Sequence, residues 1–375
     1  MSRRWIYWGL GLMPLIWWPW ASVPYELPKV TVFLLWSVVL FLLGTKHWTP
    51  DPSNTAGRQV RGDTKTYWTL LGLYFLVLLV ASYWGADWPK SLAGNYYRRD
   101  GLFTIATLVL VSVTVGWIKI DRQKILQVLM GSGMVLSVLA IFRGVGGWSV
   151  FGNPNFLAGY LVTIFPSYFA VTHARAPLAW LIILLHHTAL LFTQSWVGVI
   201  LVVGYWIWRM RKGKLVYPLI ITLVGCLVVA VSIFGKQAAD SLVASNHYHA
   251  DSRARVYLKM VLGGVRRPWL GYGVANADYA FEAIDWPMKF GSDIYVDKAH
   301  GSLLEVFVTS GLVGLAAYLA LIGYVFCRAL RSRGEVGAIL LLSFLFAQTN
   351  IISVSQEVVF WVLAGLTIPV KYGHV

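Results

Sequence analysis

Residues 302–326 read SLLEVFVTSGLVGLAAYLALIGYVF, a stretch in which Glu305 is the one charged side chain. A helix rises about 1.5 Å per residue and the hydrocarbon core of a bilayer is about 30 Å thick, so about 20 apolar residues are needed to cross it. The stretch meets this requirement. It therefore predicts a transmembrane helix.

Runs of the same kind recur on both sides of this stretch. Of the 375 residues, 58% are apolar and 13% are charged, and the apolar residues lie in long runs rather than in the mixed pattern of a soluble core. The sequence predicts an all-α integral membrane protein, a single polytopic membrane domain over residues 1–375 with about twelve transmembrane helices. The other spans are predicted at Trp5 to Val23, Val30 to Gly44, Tyr67 to Gly85, Leu102 to Ile118, Ile125 to Phe142, Pro154 to Val171, Pro177 to Thr193, Ser195 to Trp208, Tyr217 to Phe234, Val336 to Ile352 and Val358 to Val370.

The stretch from Pro177 to Trp208 is too long for one comfortable span and short for two. A basic run from Arg209 to Lys214 follows it, and Lys and Arg favour short cytoplasmic loops. Two helices keep this run on the cytoplasmic side, whereas one helix would move it to the outside. The sequence therefore predicts two helices.

The distribution of basic residues sets the predicted orientation. Most of the 31 Lys and Arg residues fall in segments that a cytoplasmic start places inside. Both termini are predicted to be cytoplasmic, and Gly235 to His300 is predicted to form one large extracytoplasmic loop between helices nine and ten. The net charge of +15 is explained by this orientation and by contact with anionic headgroups. Membrane lipids are therefore predicted partners, and nucleic acid is not.

One helix is predicted within the large loop. Ser252 is placed to cap a helix from Arg253 to Val265 that ends before Pro268, with an apolar side suited to the bilayer surface. Arg253 and Arg255 fall in its predicted first turn, where the helix dipole disfavours cations. A helix start with two arginines predicts an anion site.

Four polar stretches fall on the predicted outer face. Arginine and histidine gathered there suit a ligand with a phosphate or diphosphate headgroup and a lipid tail. The stretches are Gly94 to Gly101, with Arg98 and Arg99; Phe151 to Asn155, with Asn153; Arg253 to Gly273, with Gly271 and Tyr272; and Asp297 to His300.

Each of these features has a structural alternative. Arginine clusters also bind phospholipid headgroups. Asn153 followed by Pro154 is what a helix start requires. A lone histidine such as His300 is more often structural than catalytic, and Asp297, three residues earlier, could orient its ring or cap the helix.

Polar residues within the predicted spans have simpler interpretations. His186 and His187 lie in the seventh span without acidic neighbours, so they are predicted to hydrogen bond to adjacent helices. Cys226 and Cys327 lack motif spacing and are interpreted as packing residues. The outer acidic residues match no metal-binding loop. The sequence therefore predicts no required metal and no cofactor.

Taken together, these stretches resemble the O-antigen ligase and polysaccharide polymerase family of bacterial membrane glycosyltransferases. The resemblance extends over about residues 90 to 365 and depends on the order and spacing of the motifs. The motifs are Gly94 to Gly101, the FGNPN run at 151–155, Arg253 followed by Tyr257, PWLGYG at 268–273, DKAH at 297–300, GLVG at 311–314 and Phe360-Trp361.

The resemblance implies a GT-C-like helical enzyme, with a large outer loop between the ninth and tenth spans. It implies transfer of a glycan from undecaprenyl diphosphate to a hydroxyl of a glycan, lipid or protein acceptor. It implies catalysis by His300, which activates the acceptor or assists the donor, and by Arg253, which stabilises charge on the leaving diphosphate without a metal. The predicted substrate-binding residues are Arg98, Arg99, Arg143, Asn153, Asn155, Arg255, Gly271, Tyr272 and Asp297.

Two positions depart from the family pattern. Many members carry Ser-Arg where this chain has Ser195-Trp196, which removes a cation, and many carry Asn where this chain has Gly301. Alternatives within the same chemistry are a repeat-unit polymerase and a protein O-oligosaccharyltransferase. Outside it, a transporter of lipid-linked glycans and a non-catalytic scaffold remain open. Charges concentrated at the membrane faces disfavour the transporter.

Overall fold

The computed structural model describes residues 2–21, 23–45, 57–118, 120–146, 149–171, 177–210, 248–284, 296–331 and 334–367. Within these ranges the chain is helical, and no strand occurs among them. The predicted ninth span and residues 235–247 and 285–295 of the large loop lie outside the described residues. In chain order the helices are α1 (Ser2–Leu12), α2 (Glu26–Thr45), α3 (Gly57–Tyr83), α4 (Trp88–Ala93), α5 (Leu102–Trp117), α6 (Arg122–Arg143), α7 (Pro154–Val171), α8 (Pro177–Phe192), α9 (Trp196–Met210), α10 (Tyr248–Arg266), α11 (Ala277–Glu282), α12 (Ser302–Arg331), α13 (Glu335–Ala347) and α14 (Val354–Leu366).

Among the residues that the structure describes, four helices are long and apolar enough to cross a membrane: Glu26–Gly44, Thr64–Tyr83, Arg122–Arg143 and Ser302–Arg331. Five further apolar helices are shorter, at 10–17 residues. A helical membrane protein is therefore confirmed, and the count of twelve spans stays a prediction. The shorter helices are Leu102–Trp117, Ala179–Phe192, Trp196–Arg209, Glu335–Ala347 and Val354–Leu366.

The first predicted span is wrong in its extent. The helix ends at Leu12, and a 3-10 turn over Met13–Leu15 follows it, rather than a continuous helix to Val23. Pro14 lies in this turn, and a proline removes a backbone donor and clashes with the preceding turn of an α-helix. Trp20 beyond the turn is 86% exposed, as expected of a tryptophan at a membrane interface.

The two-helix prediction for the stretch from Pro177 to Trp208 is confirmed. α8 and α9 are separated by a short turn in which Gln194 has a φ of 59°. The two histidines of α8 hydrogen bond to different neighbours: His186 Nδ1 lies 3.0 Å from the Tyr168 hydroxyl, and the Trp206 indole donates to His187 Nε2 at 3.0 Å. Their predicted interhelical role is confirmed.

Helix ends gather at two faces of the bundle. At one face, Arg209 Nη1 lies 2.9 Å from Glu335 Oε1, so the end of α9 meets the start of α13. There too the Gln123 amide donates to the Ala170 carbonyl at 2.7 Å, which joins the start of α6 to the end of α7. Ends and starts alternate in this way when successive helices cross the same layer. Which face is cytoplasmic stays a prediction.

The other face is called the site face here, and it is the face at which α2, α5, α12 and α14 begin. Glu26 Oε2 accepts the Val354 N–H at 3.1 Å, which ties the start of α2 to the start of α14. Lys29, fully buried, donates to the Val150 carbonyl at 2.9 Å and lies 4.1 Å from the centre of the Phe151 ring. These contacts fix the loop before α7 against α2.

α12 is broken at Gly311, whose φ of 65° is left-handed. In an unbroken helix, the Leu312 N–H would donate to the Val308 carbonyl. Instead the Val308 carbonyl accepts from the Tyr272 N–H at 3.0 Å, and the Leu312 N–H donates to the Pro268 carbonyl at 2.7 Å. The loop after α10 is therefore inserted into the break and satisfies the backbone groups that the break frees.

Replacing Gly311 with alanine is expected to lower the free energy of unfolding by about 1–3 kcal/mol, because φ is left-handed there. An added Cβ would also lie 2.2 Å from the Trp269 carbonyl carbon. Gly323 of the same helix has no atom within 4 Å of its Cβ position, so Gly323→Ala is expected to stabilise the protein by about 0.5–1 kcal/mol. Unfolding of both variants in detergent checks this, and equal midpoints would contradict it.

The start of α10 was predicted incorrectly. The helix begins at Tyr248, so Ser252 lies within it rather than capping it. Arg253 and Arg255 consequently lie in the second turn, beyond the unpaired N–H groups that make a helix start an anion site. Serine is a weak signal for a helix start, and packing in the fold decides where a helix begins.

The apolar residues of α10 are divided between a buried and an exposed side. Met260 is fully buried, whereas Val261 and Val265 are 41% and 59% exposed. The buried side is set by close approach of α11, because an ideal Cβ on Gly263 would lie 2.3 Å from the Ala280 carbonyl oxygen. α10 is therefore packed against protein along part of its length, rather than only against a bilayer surface.

Candidate active site

The loop between α4 and α5 closes on itself at two glycines. Gly94 has a φ of 80°, and an ideal Cβ there would lie 2.3 Å from the backbone nitrogens of both Asp100 and Gly101, so only glycine fits. Within the loop, Asp100 Oδ1 accepts the Asn95 N–H at 3.1 Å. The closed loop holds Arg98 and Asp100 at the site face.

Two ion pairs join this loop to the segment before α12. Arg98 Nε lies 2.7 Å from Asp297 Oδ2, although the two residues are 199 positions apart in the chain. Lys298 pairs with Asp100, and its Nζ lies 3.1 Å from Glu305 Oε1 on α12. The first and fourth of the predicted stretches therefore form one cluster.

Burial and pairing together set the charge states in this cluster. Burial by itself lowers the pKa of Lys298, but the carboxylates of Asp100 and Glu305 outweigh it and raise that pKa above its ordinary value. Burial likewise raises the pKa of Asp100, but Lys298 outweighs it and lowers that pKa. Both groups are therefore charged at neutral pH.

Asp297 is occupied by Arg98. Its two oxygens lie 2.7 Å from Nε and 3.4 Å from Nη2 of the guanidinium. The two roles left open by the sequence, orienting the His300 ring and capping α12, stay predictions. The planar fork of arginine matches a carboxylate with two parallel hydrogen bonds, which favours this pairing. The donors on Nη1 of Arg98 remain for another anion.

His300 lies in the segment that enters α12, with a left-handed φ of 57°. The Tyr257 hydroxyl donates to its carbonyl at 3.0 Å, which ties this segment to α10. Arg253 precedes Tyr257 by four residues and so lies on the same face of α10. The side chains of Arg253 and Arg255 lie outside the described part of the structure.

A cavity of about 120 Å³ opens among these groups at the site face. A single water needs only about 10–15 Å³ by the same measure, so the cavity admits a larger polar group. Charged and titratable side chains line it from three helices and two loops. They are Arg98, Lys298 and His300, with the carboxyl residues Glu26, Asp100, Glu305 and Glu357.

A second cavity of about 190 Å³ adjoins the first between the helices. The two share Asp100, Lys298, Glu305 and Glu357, but the other walls of the second are mostly apolar or aromatic. A polar chamber at the site face thus borders an apolar chamber deeper in the bundle. The apolar walls include Leu78, Leu108, Val306, Phe344, Phe360 and Trp361.

Two predicted arginines do not line either cavity. The Arg99 guanidinium lies 5.4 Å from the centre of the Tyr96 ring. Arg143 is the last residue of α6 and is exposed. Among the predicted arginines whose side chains the structure describes, Arg98 is the one that lines the cavity.

The remaining predicted residues have structural contacts. Asn153 Oδ1 accepts the Asn155 N–H at 2.8 Å at the start of α7. Asn153 therefore caps this helix, which is the structural alternative to a ligand-binding role. Gly271 fits against α12 so closely that a Cβ would lie 2.5 Å from the Val308 carbonyl oxygen. Tyr272 is buried and belongs to the loop inserted into the break of α12. None of the four residues lines the described cavities.

Sequence reasoning did not select the carboxyl residues of the cavity. Glu305 and Glu357 stand beside or within long apolar runs, and charge there is costly unless it is paired or used. The energetic cost of a charged residue in an apolar run was the signal that could have identified Glu305 and Glu357 as candidate site residues. Their convergence on one cavity depends on how α12 and α14 pack, which the sequence pattern does not specify.

The two departures from the family pattern have clear positions. A Cβ on Gly301 would lie 2.8 Å from the Gln348 carbonyl oxygen, so an asparagine there would force a backbone shift. Trp196 begins α9 and is 58% exposed. Glycine at position 301 is therefore matched to the close approach of the end of α13.

A family model described as O-antigen ligase matches residues 174–319. This match covers less than half of the chain and supports its similarity to the O-antigen ligase family. The resemblance predicted from the motifs is therefore confirmed. No curated protein matches the chain.

The matched region runs from before α8 into α12 and includes Arg253, Tyr272 and His300. Arg98 and Glu357 lie outside it, and the structure brings both to the cavity that His300 lines. Members of the family are glycosyltransferase-like enzymes, both ligases and polymerases. The chain is a helical membrane protein whose matched region is similar to this family.

Proposed function

We propose that the protein is a membrane glycosyltransferase that moves a glycan from undecaprenyl diphosphate to an acceptor hydroxyl at the outer face of the cytoplasmic membrane. The observation that carries the proposal is the cavity that His300, Arg98 and Lys298 line together at the site face. The family match supports the same chemistry. The adjoining apolar chamber suits a donor or acceptor with a polar head and an apolar part.

The reaction requires charge stabilisation at the leaving group. The acceptor oxygen attacks the anomeric carbon, the bond from that carbon to the diphosphate oxygen breaks, and the electron pair stays on the diphosphate. Cations near that oxygen lower the barrier. Arg98 has donors left on Nη1 for this purpose, because Asp297 uses Nε and Nη2.

Arg253 is the second cation of the proposed mechanism. It lies one turn before Tyr257 on α10, and the contact of the Tyr257 hydroxyl with the His300 carbonyl supports this role. In this proposal Arg253 and Arg255 bind the diphosphate and His300 acts at the reacting centre. The polar groups of Asn153, Asn155 and Tyr272 act through the packing of the site rather than by lining the described cavities.

A repeat-unit polymerase and a protein O-oligosaccharyltransferase share the donor and differ in the acceptor. The family match fits both ligases and polymerases. Acceptor identity therefore distinguishes them: a lipid A core, a growing glycan of the same repeat, or a hydroxyl on a protein.

Purified wild-type protein in detergent is expected to transfer glycan from a synthetic undecaprenyl-diphosphate donor to one of these acceptors, with unchanged rate in EDTA. Arg253→Ala is expected to lower kcat by about 10²-fold, because one stabilising donor at the leaving group is lost. Lys259→Gln on the same helix is the matched control and is expected to keep its activity. Mass spectrometry of the product gives the rates.

Absence of product with every acceptor would overturn the proposed function. Movement of the lipid-linked glycan across proteoliposomes without transfer would then favour a transporter. Full activity of a folded Arg253→Ala variant would overturn the role of Arg253, and loss of activity in EDTA would overturn the predicted independence of metal.

A further inference from the structure

Glu357 lies in the first turn of α14, at the border of the two cavities. Its side chain is half-buried and lines both the polar and the apolar chamber. A ligand that extends from one chamber into the other would therefore contact this carboxylate.

The other carboxylates of the cluster are held by protein partners. Asp100 pairs with Lys298, and Glu305 accepts from both Lys298 and the Ala299 N–H, the latter at 2.7 Å. Glu26 accepts the Val354 N–H, one residue after the residue that caps α14. These groups fix the walls of the cavity.

Glu357 differs from them. Among the residues that the structure describes, no hydrogen bond or ion pair involves its carboxylate. It interacts electrostatically at longer range with Lys298, Asp100 and Glu26, and with the tyrosines Tyr74 and Tyr318. A partly buried carboxylate without a fixed partner loses hydration on folding and gains nothing in return from the protein. Such a group is retained where a ligand supplies the missing donor.

We propose that Glu357 is the general base of the glycan transfer proposed above. Its carboxylate accepts a hydrogen bond from the acceptor hydroxyl and takes its proton as the hydroxyl oxygen bonds to the anomeric carbon. The carbon-to-diphosphate bond breaks in the same step, and its electron pair stays on the diphosphate. The proton then leaves Glu357 to solvent through the chamber at the site face.

This assignment separates the two roles left open for His300. With Glu357 as the base on the acceptor side, His300 serves the donor side, where it stabilises or protonates the leaving diphosphate. The two side chains line the same polar chamber, as two groups acting on one reacting centre must. The fixed ion pairs of Arg98 and Lys298 keep the surrounding walls in place.

The test compares kcat and its pH profile in wild type, Glu357→Gln and Glu357→Asp, with donor and acceptor as above. Glutamine keeps the shape and cannot take a proton, so kcat for transfer is expected to fall by about 10²-fold with little change in donor KM. In wild type, kcat is expected to fall at acidic pH because the base becomes protonated. The residual kcat of Glu357→Gln is expected not to show this fall. Glu282→Gln, an exposed carboxyl residue of α11, is the control and is expected to match wild type.

Other titratable or charged groups face Glu357. They are Glu26 from α2, Tyr74 from α3, Arg98, Asp100, Lys298 and His300 from the loops, and Glu305 and Tyr318 from α12. The comparison with glutamine isolates the contribution of Glu357, because these groups are present in both proteins. Glu357→Asp keeps a proton acceptor at a greater distance, so it is expected to be slower than wild type and to keep the acidic fall in rate.

Glu357→Gln with the kcat and pH profile of wild type would overturn the inference and leave the proposed function standing. A Glu357→Gln variant with a low kcat that still falls at acidic pH as in wild type would also overturn the inference, because that result indicates a structural role for Glu357. If Glu357→Gln does not fold, the Glu357→Asp variant decides. A Glu357→Asp protein whose kcat does not fall at acidic pH would overturn the inference. Absence of transfer by wild type would instead overturn the proposed function itself.

Discussion

Replacing His300 with asparagine is expected to lower kcat for glycan transfer by about 10²–10⁴-fold, the usual contribution of a general acid or base. His300 lines the polar chamber beside Arg98 and Lys298, and its backbone is held by the Tyr257 hydroxyl. Asparagine tolerates the left-handed φ of 57° at this position better than most residues, so the fold is expected to persist. The decrease in kcat therefore measures the contribution of the His300 imidazole.

Single-turnover transfer assays with saturating donor measure this loss directly. His300→Ala is the second variant, and the unfolding midpoint of each variant in detergent shows whether the fold is intact. A stably folded His300→Asn or His300→Ala protein with full transfer activity would refute the catalytic role and favour the structural alternative.

Replacing Lys298 with methionine is expected to lower the free energy of unfolding by about 3–5 kcal/mol, the usual cost of removing one partner of a buried ion pair. The side chains of Lys298 and Asp100 are 16% and 19% exposed, and Glu305 shares the same ammonium group. Methionine keeps much of the volume and removes the charge. Two carboxylates then remain close together without their cation.

The pH dependence of this penalty has a definite sign. In wild type, the pKa of Asp100 is lowered, so its contribution is present at neutral pH and is lost as pH falls through its folded value. The pKa of Lys298 is raised, so its contribution is present at neutral pH and is lost only as pH rises through its folded value. Without Lys298, burial of Asp100 is opposed only by the Asn95 N–H and by Arg98, so the pKa of Asp100 is expected to rise and the penalty to shrink as pH falls from 8 to about 5.

Denaturant unfolding of wild type and Lys298→Met at several pH values checks both statements. Adding Asp100→Asn to the Lys298→Met variant is expected to recover part of the lost stability, because one unpaired carboxylate is removed. A penalty below about 1 kcal/mol at pH 8 would show that the pair behaves as a surface ion pair.

The motif loops show how far pattern reasoning reaches. Sequence order brought Gly94 to Gly101 and Asp297 to His300 to one predicted face, and the structure joins them through Arg98 and Asp297. The same reasoning gave Gly271 and Tyr272 a ligand role, whereas the structure uses their loop to fill the break of α12. In both cases a glycine-rich motif indicates a constrained backbone. The motif does not indicate whether that backbone binds a ligand or packs against another helix.

The sequence by itself determined that this is an all-helical membrane protein, that the stretch from Pro177 to Trp208 is two helices, and that His186 and His187 bond to neighbouring helices. These features depend on the length of apolar runs and on the cost of polar groups within them, which are local properties of the chain. Only the tertiary structure decided that Lys298 is held between Asp100 and Glu305, that a loop replaces a turn of hydrogen bonds at Gly311, and that Glu357 faces two cavities without a described partner. Those contacts join residues far apart in the chain, and packing geometry fixes them rather than any period in the sequence.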